Sequence, residues 1–358
     1  MEKQENNHLY GLDGLKALGC LAVAFFWHYQ HFGNDFTPPL YSVFFLLYQS
    51  GGIAVELFLM ISGFAMQMTY FNRIQEGELP FPQYISRRLR KIWPMAIITL
   101  LVVTVGELWY KSLTGGTFVV EHFDLYHFVL NCFLLQAGWW ENSYSFNSPA
   151  WFLSTLLLCY VIYYLLVRVT WKNKKVFHIT CLGIVAIGIV CLMMNCQLPF
   201  LHAGFAARGY ICFYGGLLYE LYAGGIKAPI WIGPTAGCIC FAVILLLQHF
   251  DIVGNMNLRQ LLCIFIVFPI AIIAACRLPI VERVLSIKPF RWLAGISMEV
   301  FLWHFSVQLF IACLTNGLRL KIDYSSVVFF CGYIVTVLVV AWVSAKTADK
   351  LRIKKEVR

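Results

Sequence analysis

The sequence predicts an all-α fold: a polytopic membrane bundle of about ten transmembrane helices plus one short re-entrant or surface helix. Three observations predict it. The 358 residues are 60% hydrophobic and 16% aromatic but only 13% charged, with a mean hydropathy of +0.72, whereas soluble domains carry about 25% charged residues. Apolar runs of about 20 residues, the length of a helical span, recur along the chain, and no alternating strand pattern of the barrel kind accompanies them. Basic residues collect in four of the segments between those runs.

The expected spans, in order, are 12–32, 51–71, 92–110, 151–169, 177–195, 207–223, 230–248, 259–276, 292–314 and 326–345. Arg87, Arg88, Arg90 and Lys91 precede the third span. Arg168, Lys172, Lys174 and Lys175 follow the fourth. Arg277, Arg283, Lys288 and Arg291 precede the ninth, and Lys346, Lys350, Arg352, Lys354, Lys355 and Arg358 form the tail. The positive-inside rule makes all four segments cytoplasmic. The third span then ends outside and the fourth begins outside, so residues 111–150 start and finish on the outer side. The apolar stretch 125–136 within them does not cross, and becomes the short re-entrant or surface helix, since re-entrant backbone needs protein or a watery cavity around it. Both termini are expected in the cytoplasm, in a plasma (bacterial inner) membrane, and residues 1–358 form one membrane domain.

The same reasoning disposes of other classes. A net charge of +9 comes from cytoplasmic loops, not from a nucleic-acid surface. The thirteen cysteines fall mostly inside apolar runs without zinc-finger or redox spacing; Cys238 and Cys240 face different sides of a helix. They read as small packing residues, with no disulfide framework and no metal centre. The start MEKQENNHLY lacks a basic n-region and a cleavage site, so the first span is expected to stay in the mature protein.

Ionisable groups inside spans mark function or helix ends by default. The first span carries Asp13 and Lys16 near its start and His28 and His31 near its end. Lys16 and His28 are twelve positions apart, about 18 Å along a helix, which suggests a substrate path along this helix; a snorkelling lysine and an interfacial histidine are the plainer account. Glu56 lies just inside the second span, and Ser62-Gly63 permits close helix approach there. SRRLRKIWP (86–94) enters the third span, and NSPAWFLSTLLLCYVIYYLL (147–166) opens the fourth with Trp151 and Ser154. GISMEVFLWHF (295–305) carries Glu299 and His304, which do not share a helix face; hydrogen bonding between helices is the plainer role for both.

In this order LDGLKALG, VELFLMISGF, RRLRKIWP, WFLSTLLLCY and GISMEVFLWH resemble the five motifs of the acyltransferase-3 family of integral membrane acyltransferases, over residues 9 to about 310. Family members read LDGLRxLA…H, VDLFFxLSGF, RRxxRxxP, WxLSxExxFY and GxxSYxxYLWH, around a ten-span core. The resemblance implies transfer of an acyl group, usually acetyl from acetyl-CoA, to a hydroxyl of a sugar or other envelope molecule. Acyl-CoA is then a substrate and no cofactor is held tightly. The expected partners are acyl-CoA, a carbohydrate acceptor, the lipid bilayer and glycan assembly proteins, with no nucleic acid.

His28 is the candidate base or transient acyl carrier, because a sugar hydroxyl needs a positioned base and imidazole titrates near neutrality; His31 is its reserve. Glu56 is a candidate to orient or charge-stabilise it. Arg87, Arg88, Arg90 and Lys91 are candidate ligands of the coenzyme A phosphates, with Lys16 joining them, although the positive-inside rule alone also accounts for a basic cluster there. Asp13, Trp151, Ser154, Glu299 and His304 are substrate-binding or structural polar candidates.

The chain departs from the family pattern at four places. Leu156 stands where the family has Glu, Lys91 replaces the last Arg of RRxxR, and Ser297-Met298 replaces SY. Eleven residues, not ten, separate Lys16 from His28. On a regular helix this moves the pair from about 20° to about 120° apart, unless a one-residue π-bulge restores the face. Intramembrane charge and ten spans also fit a transporter or flippase of a glycan or acylated intermediate; the lack of paired broken spans and the motif order favour the enzyme.

Overall fold

Helix after helix forms where apolar runs coincide with local start and stop signals. The computed structural model describes residues 8–33, 35–170, 173–224 and 256–356. Among them, eight helices are long and apolar enough to cross a membrane. The first is α1 (Tyr10–Phe32). The second comprises α2 (Tyr41–Ser50) and α3 (Ala54–Gln75), joined through Gly51–Ile53. Next come α4 (Phe81–Thr114), the short α5 (Leu125–Phe133), α6 (Trp151–Val169) and α7 (Lys174–Met193). α8 (Ala206–Gly209) and α9 (Ile211–Ala223) are two pieces of one expected span, broken at Tyr210. α10 (Leu258–Arg277), α11 (Pro279–Leu285), α12 (Lys288–Gly295), α13 (Ser297–Leu318) and α14 (Val327–Glu356) complete the described chain. The expected span 230–248 and Cys238 and Cys240 lie outside the described residues.

Several elements differ in extent from the sequence expectation: the second span begins earlier, at Tyr41, α14 runs on to Glu356, and two more differ for a local reason. α4 starts at Phe81, with Pro82 in its first turn where a missing N–H does no harm, and so runs helically through the whole basic cluster. Its 34 residues reach about 51 Å, against a hydrocarbon core of about 30 Å; hydropathy detects only the apolar part. The stretch 292–314 is two helices, because Ile296 (φ −118°, ψ 11°) leaves helical geometry and separates amphipathic α12 from α13. The short helix expected at 125–136 is α5, its start fixed by Asp124, whose carboxylate accepts from the His127 amide. That is N-capping by a residue type suited to it.

α3 and α9 cross at backbone distance, which fixes the centre of the bundle. A Cβ on Gly63 would overlap the Cys212 carbonyl, and a Cβ on Gly215 would overlap the Met60 carbonyl. Small residues at such crossings are how membrane helices gain packing without a hydrophobic driving force. Gly63→Ala is therefore expected to cost about 1–3 kcal/mol or more, seen as a lower thermal midpoint in detergent. Gly183→Ala, where a Cβ meets nothing within 4 Å, serves as the control; equal midpoints for the two variants would contradict this crossing.

Candidate active site

The site begins with an irregularity in α1. Its helix is regular to Leu21, passes through a π turn over Ala22–Phe26 and tightens to a 3-10 turn over Trp27–Phe32. The π turn stores one residue between Lys16 and His28. On ideal geometry that brings the pair back from about 120° to about 20° apart. Gly51 makes room for it: a Cβ there would come within 2.5 Å of the Ala22 carbonyl oxygen and 3.1 Å of Trp27 Cβ.

The turn presents His28 to α13. His28 Nδ1 lies 2.7 Å from His304 Nε2, and the rings meet edge to edge with centroids 4.9 Å apart and planes 5° apart. His304 Nδ1 lies 3.2 Å from the Val300 carbonyl oxygen, which only accepts. The proton of neutral His304 is thus on Nδ1, and its Nε2 accepts from His28 Nδ1–H. His28 is left with its lone pair on Nε2, in a residue that lines a cavity. Gln308, one turn beyond His304, holds the same face. Its amide donates to the His28 carbonyl at 2.8 Å, and its oxygen accepts from His31 Nδ1 at 3.0 Å. His31 stacks on His28 at 4.8 Å and lines the same cavity.

Across the cavity sits a buried ion pair. Arg208 Nε donates to Glu56 Oε1 at 2.5 Å and Nη2 to Oε2 at 3.1 Å, a bidentate fork. Nη2 also donates to the Gly52 carbonyl at 3.2 Å, and Gln260 donates to Glu56 Oε1 at 2.5 Å. The guanidinium lies 4.8 Å over the Trp151 ring. Glu56 is fully buried, so its charge depends on these donors. The two Nη1 protons of Arg208 have no acceptor among the described residues.

The cavity encloses about 630 Å³ and is lined by His28, His31, Arg208, Gln260, Trp151 and Tyr144, with smaller and apolar neighbours. It lies where α1 and α7 finish and α3, α6, α8 and α10 begin. Burial, against the opposing Arg208 charge, pushes the Tyr144 phenol up, so this hydroxyl stays protonated. Burial lowers His202, close by the wall residues Ala203 and Gly204.

Of the sequence candidates, the cavity gathers His28, His31 and Trp151 at its wall, with Glu56 and His304 directly behind it. Glu56 bonds to Arg208 and Gln260; the side chain bonded to His28 is His304. Ser154 is fully buried; it accepts from the Ala137 amide at 3.1 Å and donates to the Leu134 and Ala137 carbonyls, tying a loop to α6. Glu299 does not line the cavity. Asp13 bonds His8 at 2.5 Å and Lys16 at 3.3 Å, in the first turns of α1. The basic cluster divides. Arg88 points inward, 4.2 Å over Tyr70 and 4.9 Å over Tyr160, while Arg87, Arg90 and Lys91 are exposed.

Sequence reasoning missed Arg208, Gln260, Gln308 and Tyr144. One signal was there for Arg208. It opens an expected span on the side opposite the basic loops, where basic residues are few.

Comparison with known proteins adds to this geometry. A family model described as an acyltransferase domain matches residues 9–346. The peptidoglycan O-acetyltransferase OatA of Listeria monocytogenes is 20% identical over 342 residues, which cover 85% of this chain and 50% of that protein. The putative peptidoglycan O-acetyltransferase YrhL of Bacillus subtilis is 23% identical over 344 residues, covering 85% of this chain and 49% of its own. The chain spans about half the length of the curated relatives it matches. No solved structure matches it.

Proposed function

The chain belongs to the acyltransferase-3 family of membrane enzymes, and from that premise we propose that it transfers an acetyl group from acyl-CoA to a hydroxyl of a cell-wall glycan, with His28 as general base. The observation that carries this reading is the hydrogen-bond chain from the Val300 carbonyl through His304 to His28. It holds His28 in the tautomer whose basic nitrogen is Nε2, in the cavity that Arg208 also lines. The names of the two relatives support acetyl as the group and peptidoglycan as the acceptor class.

In this mechanism the acceptor hydroxyl gives its proton to His28 Nε2 as its oxygen attacks the thioester carbonyl. The Nη1–H groups of Arg208 donate to the developing oxyanion. The carbon–sulfur bond then breaks, and the departing thiolate takes the proton back from His28. Trp151, against which Arg208 packs, lines the same cavity, and the protonated Tyr144 hydroxyl offers the acceptor a donor.

The donor enters from the opposite, cytoplasmic end in this reading. Arg87, Arg90 and Lys91 are exposed on an α4 longer than a membrane span, and they supply charge to the coenzyme A phosphates. Arg88 is built into an aromatic sandwich with Tyr70 and Tyr160, so the exposed positions are the ones to test. Arg87 and Lys91 share a helix face. Reversing both to Glu is expected to raise the donor KM about tenfold or more, since each hydrogen bond to a charged group is worth about 1.5–3 kcal/mol, with kcat little changed. An unaltered donor KM would remove these residues from donor binding.

The reading as a whole is tested by incubating membranes containing the protein with radiolabelled acetyl-CoA and peptidoglycan fragments. Labelled ester on the glycan is expected. No label on any acceptor of a broad glycan panel would overturn acetyl transfer and favour transport without covalent chemistry.

A further inference from the structure

Away from the cavity, the loop between α4 and α6 brings three side chains together that acyl transfer does not use. His122, Asp124 and His127 are, among the described residues, a group whose potential ligand atoms all lie within 4.8 Å of one another. We propose that they hold a divalent transition-metal ion of the zinc class. The proposal is independent of the acyl-transfer reading.

His127 is the anchor. Its side chain is 9% exposed, yet its Nε2 is buried without a hydrogen-bond partner. A buried imidazole nitrogen left unpaired has lost its bond to water with nothing in return; a metal at that atom supplies the partner. Its other nitrogen, Nδ1, lies 2.7 Å from Asp124 Oδ2. A metal-bound histidine is usually held in this way, through a carboxylate on the far nitrogen that sets the tautomer and raises basicity. Asp124 is itself fixed, because Oδ1 accepts from the His127 amide at 3.0 Å and caps α5.

His122 supplies the second imidazole. Its ring lies parallel to that of His127, with centroids 4.4 Å apart and planes 1° apart. His122 is exposed, so its ring is free to rotate and bring a nitrogen to the bond length of about 2.0–2.1 Å that zinc requires. Imidazole nitrogens suit zinc and its neighbours better than calcium or magnesium, which take oxygen ligands.

The position gives the ion a consequence. The segment that carries His122 pairs with the one that carries Tyr144. His122 bridges to Ser145, the Glu121 amide donates to the Tyr144 carbonyl at 2.8 Å, and the Tyr144 amide donates to the Glu121 carboxylate at 3.2 Å. Tyr144 lines the large cavity. An ion held by His122 and by His127 of α5 therefore fastens the cavity's Tyr144 wall to α5.

The test is metal binding by tag-free, chelator-treated protein in detergent, with Co²⁺ as the spectroscopic probe and Zn²⁺ as competitor. The wild type is expected to bind one equivalent, to show ligand-field absorption that Zn²⁺ abolishes, and to gain thermal stability on binding. His122→Ala changes an exposed residue, so its fold is expected to survive, and it should bind at least tenfold more weakly. Asp124→Asn keeps a good cap and should also weaken binding, while His28→Ala should bind as the wild type does. No binding at micromolar free metal would overturn the site, as would equal affinity in wild type and His122→Ala. Loss of binding in His28→Ala with retention in His122→Ala would move the ion to the cavity and equally refute this assignment.

Discussion

His28→Ala is expected to lower the rate of the proposed acetyl transfer by about 10²–10⁴-fold at saturating donor and acceptor, the range for removal of a positioned general base. The side chain lines a cavity, so the variant should keep its expression, with a modestly lower thermal midpoint because His304 Nε2 loses its partner, and the loss should appear in kcat. His304→Ala is expected to show a smaller loss of the same kind, because His28 then keeps its base but loses the acceptor that sets its tautomer. Incubation with labelled acetyl-CoA and no acceptor separates the two roles open to His28: retained label on the wild type, absent from His28→Ala, identifies a covalent carrier. Activity of His28→Ala within threefold of the wild type would sink both.

Breaking the Glu56–Arg208 pair is the second large effect. Arg208→Met leaves a fully buried carboxylate with Gln260 as its remaining side-chain donor. Removing one partner of a buried ion pair typically costs about 3–5 kcal/mol. Glu56→Gln strands the guanidinium instead and should also destabilise. The double variant Glu56→Gln, Arg208→Met removes both charges, and should recover a thermal midpoint near that of the wild type. It should not recover transfer, since the Nη1 donors are gone and one oxyanion donor is worth about 10²–10³ in kcat. Thermal unfolding in detergent and the transfer assay, run on the same three preparations, check this. A double variant as active as the wild type would show that Arg208 serves the fold alone.

Much of this arrangement was legible because membrane spans announce themselves by composition, and because polar residues in them stand out. The extra residue between Lys16 and His28 announced the π turn: a helix that must keep two faces aligned has few ways to absorb one residue. Ser62-Gly63 announced the close crossing with α9, and charge bookkeeping kept α5 from being counted as a crossing.

What sequence reasoning could not reach was pairing across the chain. Glu56 and Arg208 are 152 positions apart, and His28 and His304 are 276 apart. Nothing local to Glu56 says that its partner is an arginine and not His28. Nor does the helix register of His304 reveal that it meets α1 at an imidazole. The limits of α4 were misjudged for a different reason, because hydropathy measures the lipid-facing part of a helix and α4 continues past it.

The Glu56–Arg208 pair also bears on what can enter. A lone guanidinium beside the histidines would make the cavity a trap for anions, and a carboxylate or phosphate would bind there and stay. Coupled to Glu56 through two hydrogen bonds, it retains directed N–H donors while contributing little net field. The chamber is then an electrically neutral vestibule that sorts visitors by shape and hydrogen bonding, and a neutral polyol enters it without bringing or displacing a counterion.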